Sequence, residues 1–329
     1  MTGGAALTDR VSVRDALHAA LSDEMSADPS VLLMGEDIGV AGGVFQVTRD
    51  LQARIGAGRV IDTPISEMAL AGAGFGAAVT GSRPVVEIMF ADFLLLAMDS
   101  LVNQAAKYAF VTRGSGSVPL TVRCAVGGGA RMGAMHSQVP ASWLMGVPGL
   151  KIVAPSDPAS AYGLLRGAIR DDNPVVVMEH KMLYSVKGAA WDPEPIPPGR
   201  AQVVREGGDV SIVSAMRGTL DALEAAERLS AEHGIEATVI DLRSLRPLDI
   251  DTLASSATAT GRVLVVEEGP RTGGWAGEVL AALTDESWGH LDDLWRLTSP
   301  DVPVPFSPPL EDDYLPRADA IVRSVLEHG

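Results

Sequence analysis

The sequence predicts an α/β protein that consists of two doubly wound domains. Its 329 residues, 47% of them hydrophobic, are enough for two ordinary hydrophobic cores. Short apolar runs alternate with helical patterns both before and after a proline-rich stretch, and this alternation is typical of parallel sheets packed between helices. We therefore predict domains at residues 1–191 and 201–329, joined by a linker at 192–200.

The first domain is predicted to open with an amphipathic helix. Leu17, Leu21 and Met25 share its apolar face, and Ser12 and Asp15 have the spacing of a capping box. Five apolar runs then predict buried strands of a parallel sheet, at residues 31–34, 85–90, 120–125, 150–154 and 175–178. Helical patterns lie between them, at residues 68–80, 93–112 and 159–170.

The second domain is predicted to follow four prolines that lie within residues 192–199. Prolines stiffen the backbone and remove donors from a strand ladder, so this stretch suits a linker. Beyond it we predict a second sheet, with strands at residues 210–215, 237–242 and 263–267 and helices at 219–233 and 250–258.

Charge and cysteine content exclude several classes of function. A net charge of -16 argues against a surface that binds nucleic acid or anionic membranes. Cys124 is the only cysteine, which excludes an intramolecular disulfide and a multi-cysteine zinc site and suits a reducing cytoplasm. Residues 1–10 contain no basic segment followed by an apolar stretch, so we expect a cytoplasmic protein that is neither exported nor inserted into a membrane.

A glycine pattern resembles a nucleotide-binding fingerprint but has the wrong context. Gly72, Gly74 and Ala77 match G-x-G-x-x-A, which normally follows a strand directly and opens a helix. Here the pattern lies inside the helical segment at residues 68–80. A glycine inside a helix costs about 1 kcal/mol relative to alanine, and close packing against another backbone would offset that cost. The position favours close packing over a nicotinamide or flavin site.

Two acidic positions and one histidine are candidates for chemistry. Glu67 directly precedes the small-residue helix, so its carboxylate would be held at a fixed depth; an ordinary surface glutamate is the alternative. Glu36 and Asp37 follow a predicted strand, where α/β folds place groups that face ligands. His136 lies in a glycine-rich loop, and its ordinary pKa of about 6.5 suits proton transfer; a solvated loop histidine is the alternative.

The sequence offers no recognisable site for a phosphate or a magnesium ion. It lacks the phosphate-binding G-x-x-x-x-G-K-[ST] loop, and no two of its histidines have metal-ligand spacing. The G-x-S-x-G elbow of common α/β hydrolases is also missing. A ligand of Glu67 would therefore be held mostly by another polypeptide.

Eight short segments stand in a fixed order along the chain: Gly35-Glu36-Asp37, Asp62-Thr63-Pro64-Ile65-Ser66-Glu67, Phe90-Ala91-Asp92-Phe93, His136-Ser137-Gln138, Pro148-Gly149-Leu150-Lys151-Ile152-Val153, Arg170-Asp171-Asp172-Asn173-Pro174, Asp241-Leu242-Arg243 and Arg271-Thr272-Gly273-Gly274. Together they closely resemble the beta subunit of the thiamine-diphosphate-dependent decarboxylase component of 2-oxoacid dehydrogenase complexes. The resemblance implies an N-terminal thiamine-diphosphate pyrimidine-binding domain and a C-terminal transketolase-like domain.

The resemblance also implies a shared active site. In this family the beta subunit holds the pyrimidine side of the cofactor, while the alpha subunit binds magnesium and the diphosphate. Glu67 would hydrogen-bond the aminopyrimidine ring, Phe93 would stack on it, and Glu36 would lie nearby. His136 would assist transfer of the acyl group to a lipoyl arm. The implied enzyme contains two alpha and two beta subunits, oxidatively decarboxylates a 2-oxoacid and acylates a lipoyl transacylase component.

A structural potassium ion is a further implication of the resemblance. Its ligands would be groups at Leu120, Ala168, Ile169, Asp171 and Asn173. Three of these residues are apolar, so their main-chain oxygens would bind the ion. A plain helix end and turn is the alternative.

Some features depart from the family pattern and leave the substrate open. After Gln138 the chain reads Val139-Pro140-Ala141-Ser142-Trp143, and Met89, Met132, Met135 and Met145 suggest a substrate larger than pyruvate. The segment Glu179-His180-Lys181-Met182-Leu183-Tyr184 resembles acetoin-cleaving relatives. Acetoin cleavage, a specialised biosynthetic pathway, a non-catalytic assembly paralogue and a nucleotide-dependent oxidoreductase remain as alternatives.

Overall fold

The computed structural model of the chain describes residues 10–328, in which helices pack against two central sheets. The expectation that residues 1–10 carry no export signal lies, apart from Arg10, outside the described residues. The strands are β1 (Val11–Ser12), β2 (Val31–Gly35), β3 (Val60–Asp62), β4 (Arg83–Phe90), β5 (Thr121–Val126), β6 (Lys151–Val153), β7 (Val175–His180), β8 (Lys187–Gly188), β9 (Gln202–Arg205), β10 (Val210–Ser214), β11 (Ala237–Asp241), β12 (Ser244–Arg246), β13 (Arg262–Pro270) and β14 (Asp293–Ser299). The helices are α1 (Val13–Ala27), α2 (Leu51–Ile55), α3 (Glu67–Val79), α4 (Leu94–Met98), α5 (Ala106–Val111), α6 (Ala141–Met145), α7 (Pro158–Arg170), α8 (Arg217–Arg228), α9 (Ile250–Thr260), α10 (Ala276–Ser287), α11 (Pro308–Tyr314) and α12 (Ala318–Glu327).

The larger sheet has seven strands in the order β12-β6-β7-β5-β4-β2-β3. Its six strands from the first half of the chain pair in parallel, and β12 pairs antiparallel with β6. Every residue of β5 and β7 is buried, because helices cover both faces of a parallel sheet. The five strands predicted in this half are confirmed; β3 and β12, with three residues each, were too short to show a pattern.

The smaller sheet has five strands in the order β14-β13-β10-β11-β9. The predicted strands are its three central members, and all residues of β10 and β11 are buried. Both edge strands were missed because β9 and β14 are half exposed and carry polar residues along their length. The α/β class with two doubly wound units is confirmed. A separate pair, β1 with β8, is antiparallel.

The predicted helices are present, but several of their ends differ; the helix predicted at residues 219–233 is α8 followed by a π-helical stretch at Leu229–His233. In α1, the Oγ of Ser12 accepts the Asp15 amide at 3.1 Å, which confirms the capping box. The helix predicted from residue 68 begins one residue earlier, so Glu67 is the first residue of α3 rather than the residue before it. The single helix predicted at residues 93–112 is instead α4 and α5 joined by a π-helical stretch at Asp99–Ala105.

The proline-rich stretch is packed against the first half of the chain. The Ile196 amide donates to the Gly163 carbonyl group at 2.9 Å, and a Cβ on Gly167 would lie 2.0 Å from the Ile196 carbonyl oxygen. The two glycines of α7 therefore admit this segment at close range. The domain boundaries at 191 and 201 remain a prediction.

The two halves also meet at a buried carboxyl group. Ser156 Oγ, which follows β6, donates to Asp241 Oδ1 at the end of β11 over 2.9 Å. Burial raises the pKa of Asp241 to about 7, although the Ser156 hydrogen bond opposes that shift. Together with β12, this contact joins the second half of the chain to the larger sheet.

Gly74→Ala is expected to lower the free energy of unfolding by roughly 1–3 kcal/mol. The added methyl group would lie 2.6 Å from Cγ2 of Val86 and 3.1 Å from Cδ1 of Leu120. Gly76→Ala in the same helix is the control: nothing lies within 4 Å of its added methyl group, so it should stabilise by up to about 1 kcal/mol. Urea unfolding of the purified chain measures both, and equal effects would contradict the close packing of α3 on β4.

Candidate active site

Four predicted site residues meet at one edge of the larger sheet. Glu36 follows β2, Glu67 opens α3 after β3, Phe93 follows β4, and His136 lies in the loop after β5. These strands are neighbours in the order β5-β4-β2-β3, and the carboxyl ends of parallel strands share one edge. Side chains that are up to 100 residues apart in the chain are thus brought to one place.

His136 is held between two phenyl rings. Its imidazole lies edge-on to Phe90, with 4.7 Å between ring centroids, and edge-on to Phe93, with 5.5 Å between centroids. Both His136 and Phe93 are half-buried. This geometry limits the rotation of the imidazole and leaves part of each ring open to a ligand.

Glu36 is affected by the acids around it. Burial raises the pKa of Glu36, and the negative charges of Asp37 and Glu67 raise it further. Glu36 therefore holds a proton at higher pH than an ordinary glutamate. The nearby Asp62 carboxylate already has a hydrogen-bond partner, because its Oδ1 accepts the Gly39 amide at 2.7 Å.

A buried ion cluster beneath these residues was missed by the sequence reading. Arg123, which is 2% exposed, donates to both carboxylate oxygens of Glu179 at 2.7 Å and to Glu87 at 2.6 Å. Tyr184 donates its hydroxyl group to Glu179 at 2.9 Å. Burial raises the pKa of Glu87, and the Arg123 charge opposes that shift. Charged residues inside two apolar runs, at Glu87 and Arg123, and directly after a third, at Glu179, were the signal that could have revealed the cluster.

Aromatic rings connect the ion cluster to the site. Phe45 stacks on Tyr184 with 4.7 Å between centroids and meets Phe90 edge-on at 6.0 Å. Phe90 in turn contacts His136. The position of the imidazole thus depends on a continuous packed path from the core.

The loop that carries His136 is fixed by acids from distant parts of the chain. Glu268, in β13, accepts the Gly128 amide at 2.5 Å. Glu311, in α11, accepts the Gly129 amide at 2.8 Å and the Arg131 amide at 3.2 Å. Both acids come from the second half of the chain, so that half helps to build the site.

Other predicted features do not gather at the site. Met132 and Met135 are 39% and 71% exposed on the His136 loop, whereas Met145 lines a separate cavity of about 840 Å³ beside Arg246 and Trp275. The methionines therefore do not form one pocket around His136.

The open side of the site carries exposed apolar side chains. Ile65 is 74% exposed, Met68 66%, Leu95 58% and Leu96 56%. Large exposed apolar patches of this kind mark interaction surfaces in proteins. Glu67 and Phe93 lie directly beside these residues in the chain.

The predicted potassium ligands lie around the end of α7. Ala168 and Ile169 belong to its last turn, Asp171 and Asn173 to the turn that follows, and Leu120 directly precedes β5. The side chains of Arg83 and Lys151 reach this place. Arg83 Nη1 donates to the main-chain oxygens of Ile169 at 3.1 Å and of Asp171 at 3.2 Å, and Lys151 Nζ pairs with the Asp171 carboxylate at 2.5 Å.

Within residues 10–328, no group of three or more histidine, cysteine, aspartate or glutamate side chains could hold a metal ion. In the same part of the chain, no helix is both long enough and apolar enough to cross a membrane.

Two family models and several known proteins match the chain. The transketolase pyrimidine-binding domain matches residues 9–187, and the transketolase C-terminal domain matches residues 199–321. The chain is 43% identical to the pyruvate dehydrogenase E1 component subunit beta-1 of Arabidopsis thaliana, over 97% of this chain and 90% of that protein. It is 44% identical to the beta subunit of an acetoin:2,6-dichlorophenolindophenol oxidoreductase of Cupriavidus necator, over 95% of each.

A third relative and two solved structures extend the comparison. The beta subunit of a 2-oxoisovalerate dehydrogenase of Bacillus subtilis is 40% identical, over 96% of this chain and 98% of that protein. A split-gene transketolase, described as an inactive beta4 tetramer, superimposes with a TM-score of 0.80 at 26% identity, over 96% of this chain and 97% of that one. A transketolase of Pichia stipitis, at 15% identity and a TM-score of 0.72, shares the fold over 97% of this chain and 46% of its own.

The domain matches and the identities above 40% confirm the resemblance that the short motifs indicated. The chain belongs to the transketolase-like family of beta subunits that includes those of pyruvate dehydrogenase, acetoin oxidoreductase and 2-oxoisovalerate dehydrogenase.

Proposed function

We propose that the chain is the beta subunit of a thiamine-diphosphate-dependent 2-oxoacid dehydrogenase, which decarboxylates a 2-oxoacid and transfers the acyl group to a lipoyl domain. The observation that supports this most directly is that Glu67, Phe93 and His136 all follow strands that end at one edge of the sheet, where Phe93 contacts His136. Membership of the beta-subunit family supports the same conclusion.

Glu67 and Phe93 are the residues that would hold the pyrimidine part of the cofactor. A half-buried carboxylate in the first turn of α3 suits a hydrogen bond to a ring nitrogen, and a half-buried phenyl ring suits stacking on a flat heterocycle. Glu36, whose pKa is raised, would lie beside Glu67. Thiamine diphosphate, when bound, supplies the electron sink for decarboxylation, and the protein orients it.

The remaining part of the cofactor site would belong to an alpha subunit. Magnesium and the diphosphate would be held mainly by that subunit. The exposed Ile65, Met68, Leu95 and Leu96 would contact it, which makes the enzyme active only as an assembly of two alpha and two beta subunits. A lipoyl transacylase component would then accept the acyl group.

His136 would act in acyl transfer. Its imidazole is half-buried between Phe90 and Phe93, and its ring nitrogens can donate or accept a hydrogen bond there. The main-chain anchors of its loop would keep it directed at the reacting centre. We also propose a cytoplasmic location, with Cys124 as a buried free thiol.

Two alternatives keep the same cofactor or fold. The relatives named for acetoin and for pyruvate are 44% and 43% identical, so identity does not select between these substrates, and a specialised pathway is also compatible. A non-catalytic assembly paralogue would have no need of Glu67, Phe93 and His136 together. The glycine pattern of a nucleotide-dependent oxidoreductase lies inside α3 and is used for packing.

We also propose a structural potassium ion at Leu120, Ala168, Ile169, Asp171 and Asn173. The last carbonyl groups of a helix lack intrahelical partners, and a carbonyl oxygen has two lone pairs. The Ile169 and Asp171 oxygens that Arg83 contacts could therefore accept a cation as well.

Potassium chloride is expected to raise the melting temperature of the purified chain by about 2–4 °C relative to lithium chloride at equal ionic strength. The reason is that an ion bound only by the folded state stabilises that state. Differential scanning calorimetry measures the difference. Identical melting temperatures would refute the potassium site and leave Arg83 and Lys151 as the cations that neutralise this turn.

Glu67→Gln, in the complex with its alpha subunit, is expected to reduce decarboxylation by at least about 100-fold, because a neutral amide cannot take part in proton transfer at the pyrimidine ring. The rate is measured with an artificial oxidant over a panel of 2-oxoacids and acetoin, which also identifies the substrate. Glu227→Gln, at an exposed position of α8, is the matched control.

A near wild-type rate for Glu67→Gln would contradict the role of Glu67. Titration of the chain alone with thiamine diphosphate gives an independent check, because a half-site should bind weakly or not at all. Tight binding by the isolated chain would contradict the proposed alpha subunit contribution.

His136→Ala is expected to slow acylation of a lipoyl domain on the order of 100-fold and to slow decarboxylation with an artificial oxidant much less. The reason is that the imidazole is proposed to act after decarboxylation. Both rates are measured on the same assembled complex. Equal losses in the two assays would refute a selective role in acyl transfer.

A further inference from the structure

Lys181 is a buried cation that the chemistry described so far does not use. It opens the 3₁₀ turn Lys181–Leu183 directly after β7 and is 7% exposed. Its Nζ donates to the main-chain oxygen of His136 at 2.5 Å and lies 5.6 Å from the centroid of the Phe90 ring. Lysine is rarely buried without partners, because its charge loses hydration.

Lys181 is thus in contact with both the backbone and the packing partner of His136. The hydrogen bond fixes the carbonyl group of His136. The Lys181 ammonium group lies over the Phe90 ring, which meets the His136 imidazole edge-on. Side-chain direction depends on the backbone and on its neighbours. Loss of the lysine would therefore release two constraints on the imidazole at once.

The loop before His136 needs such anchors because its own backbone is permissive. Gly127, Gly129 and Gly133 all have positive φ, at 91°, 91° and 72°. Glycine is the residue that reaches this region without strain, and it loses the most conformational freedom on ordering. Contacts from outside the loop must offset that loss.

Four charged side chains supply those contacts. Glu268 and Glu311 accept amides at the start of the loop, and Gln138 at its end donates through Nε2 to Asp92 at 2.8 Å. Lys181 holds the section between these points, at His136. The anchors therefore divide the loop into short, fixed spans.

The acids around Lys181 compensate its charge. Asp92, Glu268 and Glu311 all favour its protonated form. His180 supports Glu268: its Nδ1 accepts the Met182 amide at 3.2 Å, so Nε2 carries the proton and donates to Glu268 at 3.0 Å. Burial opposes ionisation of Glu268, but the His180 contact, the Gly128 amide and the Arg317 charge together outweigh it and lower the pKa of Glu268 to about 2.

We propose that Lys181 is a positioning residue for His136, which fixes the His136 main chain and the adjacent Phe90 ring so that the imidazole stays directed at the reacting centre. This inference rests on the proposed role of His136 in acyl transfer. Lys181 itself touches neither substrate nor cofactor in this account and acts through its two neighbours.

The charge of Lys181 makes the effect depend on pH. Burial lowers the pKa of Lys181 to about 8, and Asp92, Glu268 and Glu311 oppose that shift. Five groups face Lys181. Asp92 lies in the turn after β4, Glu268 in β13 and Glu311 in α11. His180 ends β7, and His136 lies in the glycine-rich loop. Ordinary carboxyl groups titrate at about pH 4, imidazoles at about 6.5 and α-amino groups at about 8, so Lys181→Arg is needed to assign a step near pH 8 to Lys181.

The charge state of Lys181 determines how acyl transfer should depend on pH. Below pH 8 the ammonium group is charged and its hydrogen bond to His136 is charge-assisted; above pH 8 the neutral amine donates more weakly. Acyl transfer should therefore decline as pH rises through about 8. Folding stability has the opposite dependence, because the desolvated charge is relieved above that pH.

The test uses the complete complex with its alpha subunit and thiamine diphosphate. Lys181→Met is expected to slow lipoyl acylation on the order of tenfold, with a smaller loss of decarboxylation measured with an artificial oxidant. Hydrogen exchange of residues 127–138 should rise in the same variant. Lys187→Met, at an exposed position of β8, is the matched control and should leave both measurements unchanged.

Lys181→Arg separates charge from packing, because a guanidinium group stays protonated through the alkaline range. It should keep lipoyl acylation below pH 8 and move the alkaline decline upward. An unchanged decline would overturn the proposal even if Lys181→Met failed to assemble.

A double variant distinguishes this proposal from the proposed role of His136. If Lys181 acts through His136, Lys181→Met should cause little further loss of acylation in the His136→Ala complex. A full, additive loss there would overturn the positioning role, as would unchanged hydrogen exchange in Lys181→Met. If His136→Ala alone had no effect on lipoyl acylation, the proposed role of His136 in acyl transfer would be wrong. The proposed effect of Lys181 on acyl transfer would then be wrong as well.

Discussion

Parallel pairing of β5, β4, β2 and β3 is the constraint on which the candidate active site depends. Because all parallel strands end at one edge, residues that follow different strands meet there without being close in the sequence. Glu36, Glu67, Phe93 and His136 each follow a different one of these four strands. Main-chain hydrogen bonds therefore place the functional groups, and any change of strand order would separate them.

Buried charges make that edge rigid. Arg123 lies between two carboxylates inside the sheet, and removal of one member of such a buried group leaves an uncompensated charge, which typically costs about 3–5 kcal/mol. Lys181, whose charge three acids favour, binds the main chain of the loop beside it. The two clusters are linked through Phe45 and Phe90, so the site is supported by polar groups with specific geometry as well as by apolar packing.

The exposed side of the site is compatible with the partner subunit that the names of the beta-subunit relatives imply. Ile65, Met68, Leu95 and Leu96 remain uncovered in the chain by itself, directly beside Glu67 and Phe93. On the opposite side, Gly74 brings α3 so close to β4 that a methyl group would not fit. The helix that carries Glu67 is thus fixed on one face and free on the other, which suits a residue that acts at a boundary between subunits.

Local signals in the sequence determined the α/β class, the central strands, the capping box of α1 and the family motifs around Glu67, Phe93 and His136, because period, glycine position and motif order are properties of neighbouring residues. Only the tertiary structure decided that β12 joins the first sheet, that Arg123 pairs with Glu87 and Glu179, and that Glu268 holds the amide of Gly128, 140 residues away. Pairing between charges so distant in the chain leaves no local period in the sequence. It arises only when the folded sheets bring the charges together in a place that excludes water.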